Sequence, residues 1–394
     1  MGLRKILSLT MVLGILLIPA LWAQTTADKK PAAKKRATRK HTSRKHQVAT
    51  ASAQQPKAKP SAKNVAPRRR RRGREPLPPV DPTVGDSLNG EDLIVREAAV
   101  AALGPQSGTV VVTDPNSGRV LAIVNQKLAL SPGEQPCSTV KLPVALAALS
   151  EGMITGSTAI RLSRRISMNL IEALAHSNNR YFEELGRRIG FGKWREYVSN
   201  FGFGELAGYQ ISGEQLGTLP EQPAKFGGVA RMSSFGFDIN FTPLQLAAFV
   251  SAVANGGTLY YLQYPRTPDE LQNFQPRVKR QLNIQTFLPE LREGMQAAVD
   301  YGTAKRAWQP FNTVYGKTGT CSHEGQHLGW FASYAGAPEA RLAVVVLLRA
   351  SRDVNGPHAA EVAGKVYRGL YERGYHAYRP TTTPSTVVTV GGQQ

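Results

Sequence analysis

The chain has 394 residues, 41% of them hydrophobic, so burying a core is no constraint and the composition suits a globular protein. Its net charge of +21 is unevenly placed: residues 1–78 hold 20 Lys or Arg against only Asp28 and Glu75. That excludes a basic body, because the basicity belongs to a tail and the remainder is nearly neutral.

Arg4 and Lys5 precede an apolar run from Ile6 to Ala23, the pattern of a secretory signal or an uncleaved membrane anchor. Cleavage after Ala23 would set the bulky Leu21 at a position that usually wants a small residue, and the run is just long enough to span, at roughly 17–25 residues. Residues 1–23 are therefore expected to direct export, with cleavage left open. Residues 24–85 are mostly Ala, Lys, Arg, Pro, Thr and Ser and include the run Arg68 to Arg72. Too apolar-poor to offset chain entropy, they are expected to be a disordered linker. Behind an export signal the polyanions within its reach are an anionic membrane surface, surface polymers and the wall, which argues against nucleic acid as the partner.

A folded domain is expected over residues 86–378. Leu93 to Leu103 has helical apolar spacing. Gly108 to Thr113 and Gly118 to Asn125 are β-rich runs joined by the turn residues Asp114-Pro115-Asn116-Ser117, which predicts a hairpin. From Ser138 to about Asn255 the pattern is mostly helical. It ends in a helix over Pro243 to Ala254, stopped by Asn255-Gly256-Gly257. Strand signals return at Thr313 to Gly316, Trp330 to Tyr334 and Leu342 to Leu348, and a last helix is expected from Ala359 to Gly374. Residues 379–394 look unstructured. Strands at both ends of a helical block imply an α+β fold, an antiparallel β-sheet flanked by helices plus a helical lobe.

Three short motifs follow one another along this domain: Ser138-Thr139-Val140-Lys141, Ser177-Asn178-Asn179 and Lys317-Thr318-Gly319-Thr320. Residues three apart on a helix share a face, so the Lys141 amine can reach the Ser138 hydroxyl. Serine needs a neighbouring base to become a nucleophile. Lysine can be that base only if burial or a second cation, here Lys317, destabilises its ammonium form. A competing motif, His323-Glu324-Gly325-Gln326-His327, fits the H-E-x-x-H zinc signature. It starts three residues after the Lys-Thr-Gly-Thr run and ends three before Trp330, with a central glycine. It reads as a hairpin loop, so no metal is expected.

The three motifs match the S-x-x-K, S-x-N and K-T-G signatures, and the sequence resembles the transpeptidase domain of penicillin-binding proteins and the related serine β-lactamases. The segments at 213–220, 242–257 and the hairpin at 110–124 are similar too, and the resemblance covers roughly residues 86 to 376. It implies a DD-peptidase/β-lactamase-like fold, no cofactor, and peptidoglycan stem peptides and β-lactams as partners. It also implies that Ser138 is acylated by the penultimate D-alanine carbonyl of a stem, with Lys141 as general base. Ser177 would relay a proton to the leaving amine, and Asn179 would hold Lys141 and the substrate amide. Lys317 and the Thr320 hydroxyl would bind the terminal carboxylate, while Thr318 and Gly319 would let the substrate approach the strand. Backbone N–H groups of Ser138 and Thr320 would form the oxyanion hole. That in turn implies that their neighbours Cys137 and Cys321 lie within disulfide reach, as in certain carbapenem-hydrolysing β-lactamases with cysteines flanking the same motifs.

The chain departs from the family in the 39-residue interval from Ser138 to Ser177, short for the family, which implies a trimmed lobe and a more open cleft. The expected activity is that of an extracytoplasmic D,D-transpeptidase or D,D-carboxypeptidase. A β-lactamase is the alternative, but no E-x-x-L-N or Y-G-N run provides for fast deacylation. A sensor that uses the fold to bind β-lactams or wall fragments is the non-catalytic alternative.

Overall fold

The computed structural model describes residues 81–336, 342–351, 353–375 and 388–389. The expected export segment, residues 24–80 of the expected linker, and residues 379–394 apart from 388–389 lie outside the described residues.

The domain opens with helix α1 (Leu93–Leu103), whose N-cap Asp92 accepts from the N–H groups of Ile94 and Val95. Strands β1 (Gly108–Thr113) and β2 (Val120–Val124) follow as the expected hairpin. Asp114 closes its turn by accepting from Asn116 N–H and Ser117 Oγ–H at 2.9 and 2.6 Å. After the short α2 (Gln126–Ala129) the chain makes a 3₁₀ turn at Cys137–Val140 and enters α3 (Lys141–Ser150). A two-residue ribbon, β3 (Ile160–Arg161) and β4 (Ser167–Met168), leads to α4 (Leu170–Ala175) and α5 (Asn179–Ile189). Then come α6 (Phe191–Asn200), α7 (Gly228–Phe235) and α8 (Pro243–Asn255). Helix α8 has a full capping box between Thr242 and Gln245 and ends on Gly256 at φ +96°, where glycine carries no Cβ penalty.

Strands β5 (Thr258–Tyr260) and β6 (Arg277–Gln281), with α9 (Pro268–Gln272) between them, form a small sheet before α10 (Leu288–Asp300). The chain then lays down β7 (Val314–His323), β8 (Gln326–Ala335) and β9 (Leu342–Ala350), and closes with α11 (Gly356–Glu372). Strand β10 (Val388–Thr389) pairs in parallel with β6, so two residues of the segment expected to lack structure extend the small sheet.

The main sheet runs β2-β1-β9-β8-β7, antiparallel at every pair. Alternate residues of a strand face opposite sides, and here both sides are covered. Val110, Val112, Val344 and Val346 pack towards α1 and α11, beside Val95, Leu103, Val362 and Val366. Val111, Ile123, Val345 and Leu347 pack towards the helical lobe, beside Leu246 and Val250 of α8. Two buried faces explain why these strands read as unbroken apolar runs, with no polar alternation. β7 is left at the sheet edge, where it can line a cleft.

Candidate active site

The site is built where the 3₁₀ turn, the loop after α4 and the edge strand β7 meet. Sequence spacing implied that Ser138 and Lys141 share an α-helix. Instead Ser138 lies in the 3₁₀ turn and Lys141 is the first residue of α3. With three residues per 3₁₀ turn, side chains at i and i+3 eclipse, and Lys141 Nζ lies 2.8 Å from Ser138 Oγ. Gly319 explains how close the strand comes to this turn. A Cβ there would stand 2.9 Å from the Pro136 carbonyl oxygen and 3.3 Å from Cys137 Cβ. Trp330 Nε1–H donates to the Gln135 carbonyl at 2.9 Å and ties the same turn to β8. Cys137 and Cys321 are joined by a disulfide with a Cα–Cα separation of 5.5 Å.

Lys141 is fully buried. Its Nζ has three oxygen neighbours besides Ser138: Ser177 O at 2.9 Å, Ser177 Oγ at 3.1 Å and Asn179 Oδ1 at 2.7 Å. In its base form the amine can donate to the two pure acceptors, Ser177 O and Asn179 Oδ1, and turn its lone pair to the Ser138 hydroxyl. The electrostatics agree, since burial first and the Lys317 charge second hold Lys141 well below the usual lysine range. Lys317, also fully buried, is pushed down to about 7 by burial. Its Nζ donates to Ser177 Oγ at 2.8 Å and to Thr318 O at 3.0 Å. Ser177 therefore bridges the two lysines. It does so at φ +54°, and a second non-glycine residue of positive φ, Cys137 at +51°, precedes Ser138.

Ser138, Ser177, Thr318 and Thr320 line a cleft of about 270 Å³ together with Thr303 and Pro357. The Thr320 hydroxyl accepts from Gly356 N–H at 2.8 Å, which leaves its own proton free to donate into the cleft. All eight residues singled out in the three motifs thus come together. Thr303 and Pro357 were missed. The only local signal near Thr303 is Gly302, which reads as a helix stop and nothing more.

The H-E-x-x-H pentad lies at the tip of the β7–β8 hairpin. Glu324 and Gly325, at φ +49° and +76°, make the turn. His323 pairs with Gln326 and His327 with Ser322, so the two histidines stand on paired strands and do not share a helix face. Among the described residues no group of three His, Cys, Asp or Glu is arranged to hold a metal ion.

Residues 108–368 match the family model described as the penicillin binding protein transpeptidase domain. The chain is 27% identical over 323 residues to stage V sporulation protein D of Bacillus subtilis, covering 68% of this chain and 50% of that protein. It is 26% identical over 325 residues to the peptidoglycan D,D-transpeptidase FtsI of Escherichia coli K12, covering 71% and 54%. It thus spans about half the length of the curated relatives it matches. In fold it is similar to the transpeptidase domain of Burkholderia pseudomallei penicillin-binding protein 3. The TM-score is 0.64 at 19% identity, over 72% of this chain and 96% of that one.

Proposed function

The chain belongs to the penicillin-binding protein transpeptidase domain family, and from that premise we propose that it is a peptidoglycan D,D-transpeptidase acylated at Ser138. The observation that carries this reading is the 2.8 Å approach to the Ser138 hydroxyl of a buried Lys141, whose amine is held well below the usual lysine range by burial and the Lys317 charge. Ser138 Oγ attacks the penultimate D-alanine carbonyl while its proton passes to Lys141 Nζ. The peptide C–N bond then breaks, and the departing D-alanine amine takes a proton through Ser177, which contacts both lysines. An acceptor amine attacks the resulting ester and releases the crosslinked product, returning the proton to Ser138. Asn179 holds Lys141, while Lys317 and Thr320 take the substrate's terminal carboxylate beside Thr318 and Gly319. Backbone N–H groups of Ser138 and Thr320 receive the oxyanion. A β-lactam enters the same first step and stalls at the ester.

The test is labelling of the protein with a fluorescent penicillin followed by peptide mapping. An adduct on Ser138 that lasts minutes or longer is the expected result. Label on another residue, or none, overturns the reading, and loss within seconds replaces it with a β-lactamase.

The site of action is proposed to be extracytoplasmic, with residues 1–23 as signal or anchor and the basic segment behind them as an electrostatic tether. Among the described residues no helix is long and apolar enough to cross a membrane. Residues 1–78 supply most of the net positive charge, 20 Lys or Arg against two acids, so attachment to anionic surfaces should weaken steeply with salt as the screening length shortens towards about 8–10 Å. Deleting residues 24–78 is expected to abolish sedimentation with anionic vesicles and to leave penicillin labelling unchanged. Vesicle binding retained by a deletion variant that also lacks residues 1–23 would show that the basic segment is not the tether.

A further inference from the structure

A hydroxyl that belongs to none of the three motifs joins two of the elements that carry them. Thr303 follows α10 by three residues. Its backbone N–H donates to the carbonyl of Ala175 at 3.0 Å, at the end of α4 and two residues before Ser177. Glycine at the preceding position permits the contact, because a Cβ on Gly302 would stand 2.2 Å from that same carbonyl oxygen. On its other side Thr303 Oγ1 lies 2.6 Å from Thr318 Oγ1, and Thr318 follows Lys317 in β7. Lys317 Nζ is itself bonded to Thr318 O. Thr303 thus holds the Ser177 loop with its backbone and the Lys317 strand with its side chain. The bond between Ser177 Oγ and Lys317 Nζ, 2.8 Å long, closes the same ring.

We infer that Thr303 is a positioning residue for acyl transfer, fixing the distance between Ser177 and Lys317 and so the proton path from Lys141 to the leaving group. The inference rests on the acyl-transfer reading above. Its physical basis is that Ser177 sits at positive φ in a loop, a conformation that persists only when its surroundings hold it. Without the Thr303 hydroxyl the ring is held on the strand side by the Ser177–Lys317 bond alone, and Ser177 gains freedom relative to both lysines. Binding of the substrate carboxylate to Lys317 and Thr320 does not need the Thr303 hydroxyl. The rate of bond formation does, since small misplacements of a reacting group cost large factors in rate.

The test is rapid mixing of the full chain with a fluorescent penicillin over a range of concentrations, which separates the initial binding constant from the acylation rate constant. Thr303→Val keeps the shape and deletes the hydroxyl. It is expected to lower the acylation rate constant about tenfold, with initial binding changed by less than about twofold. Thr303→Ser, which keeps the hydroxyl, is expected to restore the rate. An unchanged rate constant in Thr303→Val, a loss confined to initial binding, or a serine variant as slow as the valine variant would each overturn the inference. If Thr303→Val does not fold, Thr303→Ala carries the test by the same criteria. Wild-type protein that takes no label removes the acyl-transfer reading and this inference with it; wild-type labelling beside a fully active valine variant removes the inference alone.

Discussion

Lys141→Ala is expected to slow acylation of Ser138 by about 10²-fold or more, the scale of a lost general base, while the domain stays folded. The amine removed is fully buried and spends its hydrogen bonds on Ser138, Ser177 and Asn179, all within the site. None of these contacts belongs to the sheet or to either hydrophobic core, so the fold does not hang on them. The pH profile carries a second signature. The proposed mechanism needs the base form of Lys141, so the wild-type rate should fall as pH drops through its pKa, which burial and Lys317 hold well below 10.5. In the proposed mechanism Lys317 acts as a cation towards the substrate carboxylate. Burial places its pKa at about 7, so free-enzyme efficiency should decline again as pH rises above that value. The bell should be visible in the second-order acylation constant. It should be weaker in the saturated rate, where the bound carboxylate favours the Lys317 cation. A Lys141→Ala variant within tenfold of wild type, still showing the acid limb, would assign the base to another group.

The second large effect is expected from the disulfide. It closes a 184-residue separation between the turn that carries Ser138 and β7, for which the chain-entropy model gives about 5 kcal/mol and experience about 2–4 kcal/mol. The double variant Cys137→Ala/Cys321→Ala should therefore melt roughly 5–15 °C lower than the oxidised protein, given about 2–4 °C per kcal/mol for a domain somewhat smaller than this one. Acylation should slow as well. Cys137 immediately precedes Ser138 at φ +51°, and Cys321 immediately follows Thr320, so the bond holds together the two residues proposed to frame the oxyanion. Calorimetry and penicillin labelling of the oxidised, thiol-reduced and double-variant proteins measure both effects. Equal melting temperatures for all three would show that close packing of Gly319 against Pro136 already does the pinning.

Much of the fold was legible because its signals are local. The terminal glycine of α8, the Asp114 turn and the apolar spacing of α1 each act within a few residues, and their elements fall where the pattern places them. The chemistry-bearing residues were legible for a different reason. A serine with a lysine three positions on, a Ser-x-Asn and a Lys-Thr-Gly are side-chain requirements of the proposed reaction, and each is a short word that can be read without its surroundings.

Other features had no local signal. The strand reading for β7 ran from Thr313 through the Lys-Thr-Gly-Thr run, with His323 to His327 as a loop, yet β7 continues through Cys321, Ser322 and His323 and β8 begins at Gln326, because the two strands pair residue by residue. Thr303 reaches Thr318 only because the chain turns back after α10. The positive φ of Cys137 and Ser177 falls on residues that do not advertise it. Most decisive is the burial of Lys141 and Lys317, since by residue type alone both belong in solvent. The sequence by itself determined which groups meet in the cleft. Whether a lysine among them is an ammonium or a base depends on desolvation, the sum of everything packed around it, and only the tertiary structure decides that.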